Sequence, residues 1–198
     1  LEFVVEGRHE GAHLGLDLTH HQDWLWLGDA PLAVVFAIHA IGWQPWKCMK
    51  PGLLAVLHPH VGTMVETRSD VDRVLAGSAI PLCLDTGHLL IGGTDPLELA
   101  KAVPHRIKHT HLKDVDAALA ARVQSGELTY TDAVRAGMYT PLGTGDVDIT
   151  GIVSVLRDNG FDGWFVMEQD TILDGEPTDE GPVRDVLSSV TYLTGAVA

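Results

Sequence analysis

Basic residues are scarce. The chain carries 13 Lys and Arg against 27 Asp and Glu, a formal charge of −14. Phosphate binding needs clustered Lys and Arg, so no nucleic-acid partner is expected. Cysteine is nearly absent as well. Cys48 and Cys83 lie far apart, and Cys83 falls inside an apolar run. This excludes a disulfide framework and fits buried thiols in a reducing compartment, with a cytoplasmic location expected. No apolar run reaches the length of a membrane span. Residues 31–46 come nearest, but His39, Gln44 and Pro45 interrupt them. The first residues show no basic region followed by an apolar segment, so no signal peptide is expected.

Four stretches share one design. Leu82-Cys83-Leu84-Asp85 is an apolar run that ends in a carboxylate, with His88 three residues later. Residues 53–58 are apolar up to His58, and His60 follows. Residues 107–111 end in His109-Thr110-His111, with Lys113 and Asp114 beyond. Residues 164–168 end in Glu168. Apolar runs of this length, bounded by turn residues, read as strands buried on both faces of a parallel sheet. Parallel α/β sheets keep their chemistry at the carboxyl ends of the strands. A strand-end Asp is often only the cap of the next helix. Four strand ends that all deliver a carboxylate or an imidazole ask for more than caps. Such ligands converging on one point suit Mn²⁺, Co²⁺, Fe²⁺, Mg²⁺ or Zn²⁺.

Between these runs lie helix signals. Ser69 is the expected N-cap of a helix over 69–76, and Asp95-Pro96 opens another over 97–103. Residues 115–136 read as helical with a break at Ser125-Gly126. Residues 142–148 form a Gly-rich turn in which Asp146 and Asp148 are expected to shape the turn or cap the helix at 149–159. A polar loop (174–181) and a closing helix (183–193) follow. Alternating strands and helices predict βαβ units with right-handed crossovers, and all strand ends on one side. Residues 1–50 differ in character. They hold four of the five tryptophans and five of the eleven histidines, and no helical period persists. Residues 1–5 read as a strand, and 32–41 as a strand or a buried helix.

The runs His58-Pro59-His60-Val61-Gly62-Thr63-Met64-Val65-Glu66, Leu84-Asp85-Thr86-Gly87-His88, His109-Thr110-His111-Leu112-Lys113-Asp114 and Val166-Met167-Glu168 resemble, in order and spacing, the second half of the inosose dehydratases, a family within the xylose isomerase-like TIM-barrel superfamily. The resemblance covers about residues 51–193. It implies an α/β fold: an incomplete (β/α) TIM-type barrel, represented by a C-terminal half with four parallel strands (51–198), plus an irregular N-terminal segment (1–50). A complete barrel takes about 250 residues, so pairing with a second copy is one expectation.

The resemblance also implies one divalent ion, Mn²⁺ or Co²⁺ by preference. Its ligands would be Asp85, His111, Glu168 and Glu66, with His58 the rival to Glu66. His88, His60 and Lys113 would face the substrate as catalytic groups, and Asp114 would touch the substrate or the metal's surroundings. His109 is read as pointing away, toward the helices. His105 and Glu127 read as surface groups. The implied partner is a small cyclic polyol ketone or a sugar, with no nucleic acid and no membrane. The implied reaction is dehydration of 2-keto-myo-inositol through an enediolate, in myo-inositol catabolism. A ketose isomerase or epimerase would share the first step. A truncated metal-binding relative would share the ligands without turnover.

Overall fold

The computed structural model describes residues 3–7, 14–16, 53–173, 175 and 181–197. The expected element at 32–41 and most of the loop at 174–181 lie outside them. Two sheets organise the described chain, with a small two-stranded ribbon beside them. In the first, β1 (Phe3–Gly7) pairs antiparallel with both β2 (Leu14–Leu16) and β3 (Leu53–Ala55). The second is the parallel sheet that carries the site. Its order is β4 (Leu82–Asp85), β5 (Ile107–Leu112) and β8 (Phe165–Met167), with β5 in the middle. The ribbon pairs β6 (Asp114–Val115) with β7 (Tyr139–Thr140).

The run at 53–58 divides between the two sheets. Its first three residues form β3, and only Leu57 joins the parallel side, by a bridge to Leu82. The Leu57 N–H donates to the Pro81 carbonyl at 2.8 Å, and the Cys83 N–H donates to the Leu57 carbonyl at 2.8 Å. The ladder stops there because Pro59 has no N–H to offer. The contact is enough to hold His58 beside the end of β4.

Helices α1 (Arg68–Gly77), α2 (Thr86–Ile91), α3 (Pro96–Ala102), α4 (Ala117–Gln124), α5 (Tyr130–Arg135) and α6 (Ile149–Asp158) lie between the described strands, with a 3-10 turn after α3, and α7 (Gly181–Val197) follows β8. The cap of α1 is Thr67, two residues before the expected Ser69. Thr67 and Asp70 form a reciprocal capping box, and that pairing sets the helix start. Asp95 caps α3 as expected, accepting from the N–H groups of Leu97 and Glu98. Asp148 caps α6, and Asp146 accepts from the Ala117 N–H at 2.9 Å. The long helical region expected at 115–136 breaks into α4 and α5 around Gly126, whose φ of +74° suits glycine.

Leu82 and Leu84 point away from the site and pack with Leu57, Leu89, Leu99, Ile107, Ile152 and Leu156 in the main core. On α6, Ile149, Ile152, Val153 and Leu156 are all buried. Each such side chain contributes about 1.5–3 kcal/mol. No described helix is long and apolar enough to cross a membrane.

Candidate metal and acid–base site

Register decides which side chains meet. Asp85 stands opposite His111, and His111 opposite Val166. Residues two apart on a strand share a face. Lys113 and Glu168 therefore follow His111 and Val166 on the same side, one step beyond. The Glu168 N–H donates to the Leu112 carbonyl at 3.1 Å, which carries the pairing past the end of β8.

The Asp85 carboxylate is fully buried at the centre. Its Oδ1 accepts the His88 backbone N–H at 2.8 Å, which caps α2. Its Oδ2 lies 3.0 Å from His58 Nε2, 3.5 Å from His111 Nδ1 and 3.7 Å from Lys113 Nζ. Asp85 is thus both a helix cap and a ligand candidate, one oxygen for each task. Across the sheet, His111 Nδ1 meets Glu168 Oε2 at 2.8 Å. Lys113 Nζ lies 3.1 Å from Glu168 Oε1, 3.0 Å from Asp170 Oδ2 and 3.3 Å from His88 Nε2. Tyr130 donates its hydroxyl hydrogen to Asp170 at 3.2 Å, and its oxygen sits 3.0 Å from that of Tyr139.

Lys113 is 1% exposed, which is rare for lysine unless it is paired. Thr86 fixes its backbone. The Lys113 N–H donates to Thr86 Oγ1 at 2.8 Å, and that hydroxyl donates to the Lys113 carbonyl at 2.6 Å. Gly87 makes room for its stem. A Cβ on Gly87 would come within 2.9 Å of Lys113 Cβ and 2.7 Å of Tyr139 Cε1.

These contacts set the protonation states. Burial alone would raise Asp85, but the neighbouring His88, Lys113, His111 and His58 outweigh it and hold the carboxyl well below its usual range. Burial likewise opposes the ionised forms of His111 and Glu168. Contacts with Asp85 and Glu168 nonetheless raise His111 to about 9, and contacts with His111 and Lys113 lower Glu168 to about 2. Lys113 is raised against its burial by Asp85, Glu168 and Asp170. His88 goes the other way: burial lowers it to about 2, so it is neutral. An ammonium only donates, so His88 Nε2 accepts from Lys113 and its proton sits on Nδ1. That Nδ1 is buried with no hydrogen-bond partner among the described residues. His60 is lowered by burial too. It donates from Nδ1 to the Val61 carbonyl at 2.7 Å, which leaves the lone pair on Nε2. Its ring lies 3.5 Å from that of His88, tilted by 35°.

The site's charges already centre on a cation. The His111 imidazolium lies between two carboxylates, 3.5 Å from Asp85 Oδ2 and 2.8 Å from Glu168 Oε2. Ligand atoms of Asp85, His111 and Glu168 all fall within 4.8 Å of one another, and so do those of His58, Asp85 and His88. Two carboxylate oxygens with one or two imidazole nitrogens are a donor set that fits a divalent metal ion.

Of the residues singled out from sequence, the structure brings together His58, His60, Asp85, His88, His111, Lys113 and Glu168. Glu66 is elsewhere. Its carboxylate accepts the Gly62 N–H at 2.9 Å within its own loop, and it belongs to none of the described donor groups. The Asp114 carboxylate is engaged by the Gly-rich turn instead. It is 1% exposed and accepts four backbone N–H groups, from Val115, Gly143, Gly145 and Val147, at 2.8–3.0 Å. His109 does not point toward the helices. It is two residues from His111 and so shares its face, with the two rings 5.2 Å apart. Asp170, Tyr130 and Tyr139 were not singled out. Asp170 was within reach of the same reasoning, being two residues beyond Glu168. The tyrosines come from α5 and β7 and carry no local signal.

A parallel βα sheet with carboxylates and imidazoles gathered at its strand ends is the arrangement of the catalytic face of an α/β barrel. The sequence pattern of the xylose isomerase-like TIM barrel family matches residues 30–188, and the chain belongs to that family. It is 32% identical over 145 residues to an inosose dehydratase from Clostridium botulinum (strain Alaska E43 / Type E3), covering 72% of this chain and 47% of that protein. It is 33% identical over 150 residues to an inosose dehydratase from Lacticaseibacillus casei, covering 74% and 49%. The chain thus spans about half the length of the curated relatives it matches. Among solved structures, a D-tagatose 3-epimerase-like protein aligns at a TM-score of 0.48 with 18% identity, over 72% of this chain and 46% of that one.

Proposed function

We propose that the chain carries the ion-binding and proton-handling half of a hydro-lyase of the inosose dehydratase type, acting on 2-keto-myo-inositol (scyllo-inosose) in myo-inositol catabolism. The observation that supports it best is the convergence of Asp85, His111 and Glu168 from three neighbouring parallel strand ends, with a buried Lys113 beside them. Asp85, His111 and Glu168 would hold the ion, with His58 rather than Glu66 as the fourth donor. A bound Mn²⁺ or Co²⁺ would stabilise, as a Lewis acid, the negative charge that develops on the ketone oxygen.

The protein's own groups divide the remaining work. Elimination of water next to a ketone begins with loss of the proton on the carbon beside the carbonyl. His60 is neutral, with its lone pair on Nε2, and has the form of the general base. Neutral His88 offers a buried Nδ1–H, a donor for a substrate oxygen. The Lys113 ammonium is held by Glu168 and Asp170 and stays charged, so it stabilises the developing anion, while the imidazolium formed on His60 returns its proton to the departing hydroxyl, which leaves as water. General acid–base contributions of this kind are typically ~10²–10⁴-fold each. Lys113→Met should therefore lower kcat by at least about a hundredfold. The test is scyllo-inosose turnover, followed by the absorbance of the trihydroxycyclohexane-dione product. Chelation should abolish turnover, and Mn²⁺ or Co²⁺ should restore it. Full turnover after exhaustive chelation would refute the reading.

A further inference from the structure

Below the carboxylates, the same strand face carries a softer donor. Cys83 lies two residues before Asp85 on β4 and shares its face. It stands in register with His109 and is fully buried. The Cys83 sulfur and one nitrogen each from His58 and His111 all lie within 4.8 Å of one another. His58 is 2% exposed and His111 7%.

A buried cysteine in a strand is ordinarily a small apolar filler. Filling a core does not require two imidazoles at ligand distance, and here both are present. We propose that Cys83, His58 and His111 form a second, soft site that takes a thiophilic divalent ion of the zinc or cadmium class. One thiolate and two imidazoles are a donor set typical of zinc. With Zn–S near ~2.3 Å and Zn–N near ~2.0 Å, tetrahedral donors stand about 3.5 Å apart. The three atoms need to close by only about 1 Å, within the reach of side-chain rotation. Binding expels the thiol proton, and the ion balances the buried thiolate. Glu168, paired with His111, has a side chain that is 35% exposed.

His58 and His111 serve both donor sets, so the two ions exclude each other. A thiophilic ion in the lower site takes His111 away from Asp85 and Glu168. On the hydro-lyase reading above, that ion is an inhibitor which competes with Mn²⁺.

Cd²⁺ titrated into the whole chain tests this. The wild type should develop the ultraviolet thiolate-to-cadmium charge-transfer band at one equivalent. Cys48→Ala should keep the band, and Cys83→Ala should lose it while still binding Mn²⁺. In competition, followed by the electron paramagnetic resonance of released Mn²⁺, Cys83→Ala should need at least tenfold more Cd²⁺ than the wild type. No band in the wild type, or an equal band in Cys83→Ala, overturns the proposal. Should Cys83→Ala fail to fold, the Cys48→Ala protein still decides, since Cys83 is then the only cysteine. A band without any Mn²⁺ uptake would uphold the soft site and sink the hydro-lyase reading. Mn²⁺ uptake without a band would do the reverse.

Discussion

Asp114→Asn perturbs one buried carboxylate and, through it, the Gly-rich turn behind the site. Oδ1 accepts from Val115 and Val147, and Oδ2 from Gly143 and Gly145. An asparagine preserves one acceptor oxygen and replaces the other with an NH₂ group. That group faces two backbone donors and can accept from neither. Hydrogen bonds to a charged group are worth about 1.5–3 kcal/mol each, and the two orphaned donors add a desolvation cost. Loss of two such bonds therefore predicts a destabilisation of about 3–6 kcal/mol, against a typical total of about 5–15 kcal/mol. With a urea slope near 2 kcal/mol/M, the unfolding midpoint should fall by roughly 1.5–3 M. Amide exchange at Gly143 and Gly145 should quicken more than at α6. An Asn variant within about 1 kcal/mol of wild type, with those amides still protected, would show that Asp114 does not hold the turn.

Two further outcomes follow from the site's geometry. In the metal-free protein His111 titrates near 9, above its unfolded value of 6.5. Its imidazolium stabilises the fold fully below pH 6.5, and that contribution disappears as pH rises through about 9. Since a ligand must be deprotonated, Mn²⁺ affinity should rise about tenfold per pH unit from 7 until it flattens near 9. Calorimetry in buffers of different ionisation enthalpy should register about one proton released per ion at pH 7, and a pH-independent affinity would contradict the assignment. Gly87→Ala places a methyl against the Lys113 stem and Tyr139. Overpacking of this kind costs about 1–3 kcal/mol, so a lower thermal midpoint and a reduced kcat are expected together. An unchanged midpoint would show that the contact is not tight.

The strands β4, β5 and β8 and the caps at Asp95 and Asp148 were legible because their signals are local. An apolar run bounded by turn residues, or an Asp before a helix, needs no knowledge of the rest of the chain. Asp85, His111 and Glu168 were legible for the same reason, as the last polar residues of such runs. What pairing decides was not legible. Residues 53–58 form one apolar run, yet β1 takes its beginning and Leu82 its end. Thr67 and Ser69 are both good caps, and only the reciprocal bond with Asp70 selects the first. Glu66 lies eight residues beyond His58 in a loop that supplies its own N–H partner, so nothing draws it back to the cluster. His109, two residues before His111, takes the same face by the period of the strand. Asp170, two residues beyond Glu168, reaches Lys113 by the same period. Tyr130 and Tyr139 reach Asp170 and Lys113 only through the tertiary arrangement of α5 and β7.

Mn²⁺ binding by equilibrium dialysis tests the central claim most directly, applied to the wild type, Asp85→Asn and Glu66→Gln, each first shown folded by circular dichroism. Convergence of Asp85, His111 and Glu168 on one ion predicts one equivalent in the wild type, loss of at least tenfold in affinity in Asp85→Asn, and wild-type binding in Glu66→Gln. Undiminished binding in Asp85→Asn, or loss of the ion in Glu66→Gln, would contradict it.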